Sequence, residues 1–168
     1  MTVPIELRAP MRNVIHAFLS AAVSAAMVGL LAWADTGTAR AASLEEEQRC
    51  LALAMYWEAR GEGRQGMIAV GWTVLNRVRS EHFPSTPCEV VHQGGEQPPC
   101  QFSWWCDGKS DRPREGRNWS LAQMIAADLL TNPPPDPTAG ATFFHATSVR
   151  SPWDLERTAR IGRHVFYR

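Results

Sequence analysis

The segment YWEARGEG at residues 56–63 constrains the fold most strongly, because an apolar helix meets two glycines there. Glu58 follows Ala54 by four positions and Leu51 by seven, so in a helix of about 3.6 residues per turn it shares their apolar face. A carboxyl group on such a face loses water, which raises its pKa above the free value of about 4.3. A general acid needs to be protonated near neutral pH, so we predict that Glu58 is catalytic.

The charged residues of this segment also have simpler explanations. Glu58 is alternatively an ordinary ion-pair partner of Arg60 or Arg77. Glu62, about one turn later, is a candidate for a second catalytic carboxylate, but a salt bridge that orients a loop is the commoner role for such a residue. The distance between the two carboxylates cannot be read from the sequence, because a glycine separates them.

Length and charge narrow the class of protein. A chain of 168 residues is expected to form one domain. Its 17 basic and 17 acidic residues give a formal net charge of zero, so it lacks the basic excess that neutralises nucleic-acid phosphates. We therefore expect no nucleic-acid partner.

The first 41 residues have the pattern of a secretory signal peptide. Two arginines precede a long apolar run at residues 14–33, and the sequence ARA at residues 39–41 has the small-x-small form of a signal peptidase site. An uncleaved membrane anchor is the alternative, because the run approaches the length that spans a bilayer. We predict a signal peptide at residues 1–41 and a catalytic domain at residues 44–168. We expect export to the periplasm or cell envelope, with membrane contact only through an uncleaved leader.

All four cysteines lie after this leader, and an even number in an exported chain predicts two disulfide bonds. Four cysteines allow three pairings, of which we favour Cys88 with Cys100 and Cys50 with Cys106. Zinc binding is the weaker alternative, since no Cys-x-x-Cys or His-x-x-x-His spacing is present. We expect no metal and no cofactor.

The pattern of apolar residues predicts an α+β fold in which about three helices pack on a small antiparallel sheet. Helices are predicted at residues 44–59, 65–79 and about 118–130. Strands are predicted at residues 89–91, 141–145 and 164–167. Ser43 is expected to cap the first helix in a capping box, and Asn118 or Ser120 to cap the third. The second helix is apolar on most sides, which predicts a central position.

A series of motifs, in order along the chain, resembles the signature of the SleB-type cell wall hydrolases. The motifs are EARGE at residues 58–62, QG at 65–66, VLNRV at 74–78, CQFS at 100–103, GATFFH at 140–145, PW at 152–153 and IGRHVF at 161–166. The resemblance covers nearly all of residues 50–167. It implies a peptidoglycan-cleaving enzyme with a lysozyme-related catalytic arrangement.

The family members best known in spore formers cut between N-acetylmuramic acid and N-acetylglucosamine as lytic transglycosylases, and Glu58 matches their catalytic glutamate. The resemblance therefore implies that Glu58 acts first as acid and then as base, and that no cofactor is needed. Peptidoglycan is the expected partner, and we expect a monomer.

Polar and aromatic residues in loops and strands are candidates for a substrate groove, because sugar rings present C–H faces and hydroxyl groups. These candidates are Arg60, Gln101, Ser103, Trp104, Trp105, His145 and Trp153. Packing is the alternative role for the tryptophans, and a structural role is the alternative for His145.

Three other functions compete with a lytic transglycosylase. A true hydrolase of the same bond would pair Glu58 with Glu62 or with a water. A non-catalytic wall-binding protein would keep the groove without turnover. A Cys–His peptidase would use Cys100 or Cys106 as nucleophile, but disulfide bonding of those cysteines opposes this function.

Overall fold

The computed structural model describes residues 40–41, 43–114, 116–151 and 153–168. Within these residues the elements are α1 at residues 43–59, α2 at Gly63–Val78, α3 at Pro87–Val91, a 3-10 helix at Ser103–Cys106, α4 at Arg117–Thr131, β1 at Phe143–Ala146, β2 at Arg157–Ile161 and β3 at His164–Tyr167. Leu44–Arg168 form one compact unit. The predicted α+β class is confirmed, with four helices where about three were expected.

The predicted signal peptide lies outside the described residues, except for Arg40 and Ala41, which are helical. Ser43 is itself helical, so the predicted capping box is wrong. The physical reason is that alanine has the highest helix propensity, and it favours continuing the helix on the N-terminal side of Ser43. None of the helices in the described part of the chain is both long and apolar enough to cross a membrane.

α2 forms the centre of the packing. Its residues from Gly66 to Leu75 are all buried, and it packs against α3, α4 and β2. The close approach of its neighbours depends on Gly71, since a Cβ added there would lie 2.8 Å from the Met55 sulfur of α1 and closer still to Leu129 of α4. The long apolar run that predicted a central helix therefore corresponds to a helix that contacts α1, α3, α4 and β2.

The three strands form an antiparallel sheet in the order β1-β3-β2. β3 is central and all four of its residues are buried, whereas the residues of β2 are exposed or half-buried. β2 was not predicted from the sequence, because Arg157 and Arg160 interrupt its apolar pattern. The turn from β2 to β3 contains Gly162 at a φ of 55°, in the left-handed region that favours glycine.

Two local predictions are wrong for reasons of helix capping. The segment at residues 89–91 is helical, because the Thr86 side chain accepts a hydrogen bond from the Glu89 backbone N–H and Pro87 occupies the first turn. α4 begins after Gly116, so neither Asn118 nor Ser120 is its N-cap.

The disulfide pairing also differs from the one favoured above. Cys50 pairs with Cys88, at a Cα separation of 5.1 Å, and this bond joins α1 to α3. The Glu47 carboxylate supports the same junction by accepting a hydrogen bond of 2.7 Å from the Cys88 backbone N–H. Cys100 pairs with Cys106 and closes a short loop around the 3-10 helix. The sequence did not reveal this pairing because it depends on α3, which had been predicted as a strand.

Removing the two disulfides should destabilise the protein to different degrees. The Cys50–Cys88 bond closes a loop with a sequence separation of 38 and the Cys100–Cys106 bond one of 6. A chain-entropy model therefore predicts losses of about 4 and about 2 kcal/mol in the free energy of unfolding for the two double alanine variants. Urea denaturation measures both losses, and peptide mapping without reduction checks the pairing. Recovery of a Cys88–Cys100 peptide would contradict the structure.

Candidate active site

Glu58 lies at the C-terminal end of α1 and lines a cavity of about 370 Å³. The other walls of the cavity come from α2, from the loop that precedes the 3-10 helix, and from β1 and β3. Four of the predicted groove residues line it together with Glu58, and these are Gln101, Ser103, His145 and Trp153. The fold therefore brings together residues that are up to 95 positions apart in the sequence.

The Glu58 carboxyl group is half-buried in this cavity. Burial raises its pKa to about 7, and the positive charge of Arg77 opposes this rise only in part. Among the described residues, no arginine or lysine nitrogen lies within 4.0 Å of the Glu58 carboxylate, so it makes no direct ion pair with Arg60 or Arg77. The group is thus close to half-protonated at neutral pH, which suits proton transfer in either direction.

Arg77 is a buried cation in the same cavity. Its Nε donates a hydrogen bond of 2.7 Å to the Thr142 carbonyl, and its guanidinium lies between 5.2 and 5.7 Å from the ring centroids of Phe83, Phe102 and Phe143. Burial lowers the pKa of Arg77 to about 10, so it keeps its charge at neutral pH. Its buried Nη1 has no hydrogen-bond partner within the described residues.

The C-terminal end of α2 fixes β1 beside Glu58. Asn76 Nδ2 donates to the Ala141 carbonyl at 3.1 Å, and the neighbouring Arg77 bonds to the next carbonyl, that of Thr142. β1 begins at Phe143, directly after these two contacts. The polar pair that interrupts the apolar pattern of α2 therefore serves to position the strand that forms the opposite wall.

His145 of β1 is held in one orientation. Its Nδ1 donates to the Ala146 carbonyl at 2.8 Å, which leaves Nε2 to accept a hydrogen bond of 3.0 Å from the Tyr167 hydroxyl. His164 of β3 also lines the cavity, and burial lowers its pKa. Phe143 and Phe144 complete this wall and were not proposed as groove residues. The available signal was the aromatic pair inside a predicted strand, directly before His145.

The remaining groove candidates lie elsewhere. Arg60 and Trp104 line a second cavity, together with Trp57. Trp105 stacks on His92 at 3.8 Å between ring centroids and is not among the residues that line the cavity of Glu58.

Glu62 does not line the Glu58 cavity either. One of its oxygens accepts a hydrogen bond of 2.7 Å from Arg163 Nε, and the other accepts one of 2.9 Å from the Arg163 backbone N–H. These bonds lower the pKa of Glu62. A Cβ added at Gly162 would collide with the Glu62 carboxylate, so this carboxylate is packed against the turn from β2 to β3.

Comparisons with known proteins come from both sequence and structure. The family described as Cell Wall Hydrolase matches residues 61–167. The spore cortex-lytic enzyme of Bacillus subtilis (strain 168) is 32% identical over 121 residues, which cover 70% of this chain and 36% of that enzyme. The spore cortex-lytic enzyme of Halalkalibacterium halodurans is 31% identical over 125 residues, which cover 73% of this chain and 34% of that enzyme. The chain thus spans about a third of the length of these relatives.

Two solved structures are similar to this one. The catalytic domain of the Bacillus cereus SleB protein gives a TM-score of 0.57 at 27% identity, covering 73% of this chain and 89% of that one. The catalytic domain of the germination-specific lytic transglycosylase SleB from Bacillus anthracis gives 0.57 at 28% identity, covering 73% and 93%. The family match begins at residue 61, so the case for Glu58 comes from the cavity and not from that match.

The raised pKa of Glu58 predicts a specific dependence of stability on pH. Between its ordinary pKa of 4.5 and the folded value of about 7, the unfolded chain releases the proton and the folded chain keeps it. The stability contributed by protonated Glu58 is therefore fully present below about pH 4.5 and is lost as pH rises through about 7. Relative to the wild type, Glu58→Gln should gain about 3 kcal/mol between about pH 4 and about pH 8, measured by urea denaturation.

Glu62→Gln is the matched control for this measurement. Because Arg163 lowers the pKa of Glu62 in the folded state, its ionised form stabilises the fold above its unfolded pKa, and that contribution is lost in acid. Relative to the wild type, Glu62→Gln should therefore lose stability as pH rises towards the ordinary pKa of 4.5 and then stay level up to about pH 8, whereas Glu58→Gln gains stability over that upper range. The same pH trend in both variants would refute the burial argument for Glu58.

Proposed function

Since the chain belongs to the cell wall hydrolase family, we propose that it cleaves the glycan strand of peptidoglycan between N-acetylmuramic acid and N-acetylglucosamine as a lytic transglycosylase. The relatives that it matches are named spore cortex-lytic enzymes, and one similar solved structure is named a lytic transglycosylase. These names support the class of reaction, and the cavity supports the mechanism.

One observation carries the proposal. Glu58 is the sole acidic side chain among the described residues that line the cavity, and its pKa of about 7 allows it both to give and to accept a proton. A lytic transglycosylase needs one such group. A retaining or inverting hydrolase needs two carboxyl groups about 5–10 Å apart across the scissile bond.

The proposed reaction has two proton transfers through Glu58. The protonated carboxyl group gives its proton to the glycosidic oxygen as the bond from that oxygen to C1 of N-acetylmuramic acid breaks. The 6-hydroxyl of the same sugar then bonds to C1, and the Glu58 carboxylate takes the hydroxyl proton. The products are a strand that ends in a 1,6-anhydro ring and a strand with a free hydroxyl, and Glu58 returns to its protonated state.

Arg77 is expected to balance the two states of Glu58. Its positive charge stabilises the carboxylate that forms after the first transfer, while its distance leaves the burial of Glu58 dominant before that transfer. Arg77 lines the cavity, so its guanidinium is placed to donate to an N-acetyl or hydroxyl oxygen of the sugar.

The other walls of the cavity suit a sugar strand. Gln101 and Ser103 are exposed at its rim and offer an amide and a hydroxyl. Trp153 and Phe143, whose ring centroids lie 5.3 Å apart, offer the aromatic faces on which sugar rings pack.

A true hydrolase using Glu62 is the second candidate, and the structure gives no specific support to it. The two oxygens of Glu62 are occupied by Arg163, and Glu62 is not among the residues that line the cavity.

We also propose that the protein is exported to the periplasm or cell envelope as a monomer, with residues 1–41 as its signal. The two disulfide bonds support an oxidising compartment.

Digestion of purified peptidoglycan with the wild type and with Glu58→Gln tests the mechanism. Loss of the acid should lower the rate of fragment release by about 10²- to 10⁴-fold, because general acid catalysis contributes about that much. Mass spectrometry of the fragments should show anhydro ends, which are lighter than hydrolysis products by one water. The wild-type rate should fall as pH rises above about 7, since the first step needs protonated Glu58.

Glu62→Gln separates the two candidate reactions. A transglycosylase that uses Glu58 alone should tolerate this change if the variant remains folded, as checked by its thermal midpoint. Products without the anhydro ring, together with an inactive but folded Glu62→Gln, would support the hydrolase instead. Binding to peptidoglycan without release of fragments by the wild type would indicate a non-catalytic wall-binding protein.

A further inference from the structure

A second cavity of about 370 Å³ adjoins the one that contains Glu58. Trp57 and Trp104 line it, and their chain neighbours Glu58 and Ser103 line the first cavity. Because consecutive Cα atoms are only about 3.8 Å apart, the two cavities border the same two backbone segments. A polymer bound at Glu58 therefore has this second cavity within immediate reach.

Contacts within the fold hold the aromatic wall of the second cavity. The rings of Trp57 and Trp104 stack at 6.4 Å between centroids with an interplanar angle of 25°. The indole N–H of Trp57 donates to the Asp111 carbonyl at 3.4 Å, so the segment that carries Asp111 is tied to this wall. The positions of the charged groups around the wall are thus set by the fold.

Two of these charged groups, Arg60 and Asp111, have no ion-pair partner among the described residues. The Arg60 guanidinium lies over the Trp57 ring at 4.6 Å from its centroid, which orients its N–H donors. Lys109 and Asp107 also line the cavity, but they pair with each other at 3.0 Å. The cavity therefore presents one cation and one anion that are both available to a ligand.

The surroundings of Asp111 favour a cationic ligand group. Burial and the negative charges of Asp107 and Glu96 raise the pKa of Asp111, and His92 opposes them. Burial lowers the pKa of His92, so it is mostly neutral at pH 7 and supplies little compensating charge. An ammonium group bound beside Asp111 would supply that charge.

We propose that this cavity binds the stem peptide of peptidoglycan, with Asp111 accepting hydrogen bonds from an ammonium group and Arg60 donating to a carboxylate of the peptide. This proposal rests on the proposed function, because it assigns the second cavity to another part of the same substrate. Stem peptides carry both ammonium and carboxylate groups, whereas the N-acetylated sugars carry no ammonium group, and the one carboxylate of N-acetylmuramic acid is amidated where a stem peptide is attached. A neutral sugar in this cavity would desolvate both charges without pairing them, which is unfavourable.

The consequence is selectivity for strands that still carry their peptides. Contacts remote from the broken bond help to orient the reacting sugar at Glu58, so they favour the cleavage of peptide-bearing strands. Soluble strands with stem peptides should therefore be cleaved with a higher kcat/KM than the same strands after an amidase has removed the peptides.

The test measures, for each variant, the ratio of kcat/KM on peptide-bearing strands to kcat/KM on strands without peptides. We expect a wild-type ratio of about ten, the equivalent of one charged hydrogen bond, and a fall towards one in Asp111→Asn and in Arg60→Gln. Glu96→Gln is the matched control, since it removes a nearby negative charge without lining the cavity, and it should keep the wild-type ratio. Asp111→Asn preserves the size of the side chain and the backbone carbonyl that binds Trp57, so the fold should be retained.

Several outcomes would overturn the proposal. A wild-type ratio of one, or an unchanged ratio in Asp111→Asn, would show that the cavity does not recognise peptide. If Asp111→Asn and Arg60→Gln lower kcat/KM equally on strands with and without peptides, the cavity would be assigned to a neighbouring sugar instead. If the wild type cleaves neither substrate, the proposed function fails, and calorimetry with a free stem tetrapeptide then decides. Binding that Asp111→Asn weakens by about tenfold would support the peptide site, and absence of binding would refute it.

Discussion

The burial of one carboxyl group at the end of α1 is the constraint on which the rest of the site depends. Two effects of opposite sign act on the pKa of Glu58: burial raises it and the charge of Arg77 lowers it, and the effect of burial is the larger. If Arg77 were in direct contact, the carboxylate would be held as an anion and would have no proton to give. If Arg77 were absent, the pKa of Glu58 would be higher still, and the group would give its proton to the glycosidic oxygen less readily in the first step. A buried cation that lies beyond ion-pair distance gives a pKa between these extremes.

α2 keeps this balance because it carries Arg77 on a helix whose position is strongly determined. Its buried residues pack against α3, α4 and β2, and its last turn bonds to two successive carbonyls just before β1. Arg77 therefore faces Glu58 and fixes the strand that carries His145 at the same time. The distance between acid and cation follows from packing, which is much stiffer than a surface loop.

Local sequence patterns predicted features that depend on residues close together in the chain. They failed for features that depend on contacts between residues far apart in the chain. The apolar face of α1 predicted a desolvated Glu58, and the segment at residues 164–167 predicted β3. The disulfide pairing was wrong because it depends on how α3 docks against α1, and α3 was decided by the Thr86 cap and Pro87. The five residues of α3 carry no sequence pattern that indicates which helix they pack against.

The groove candidates show the same limit. Gln101, Ser103, His145 and Trp153 converge on Glu58, while Trp104 faces the adjoining cavity and Trp105 packs on His92. These three tryptophans look alike in the sequence, because aromatic residues in a loop suit both sugar binding and packing. The 3-10 turn at Ser103–Cys106 determines which sides Trp104 and Trp105 face.

The same burial that makes Glu58 useful also weakens the fold at neutral pH, because an ionised carboxylate is less stable there than in water. A domain of this size has a modest core, so that cost must be offset by other contacts close to the site. Cys50 lies on α1 about two turns before Glu58, and its bond to Cys88 ties this helix covalently to α3. The disulfide thus constrains the helix that carries the buried carboxylate of Glu58, and it adds no polar group to the cavity.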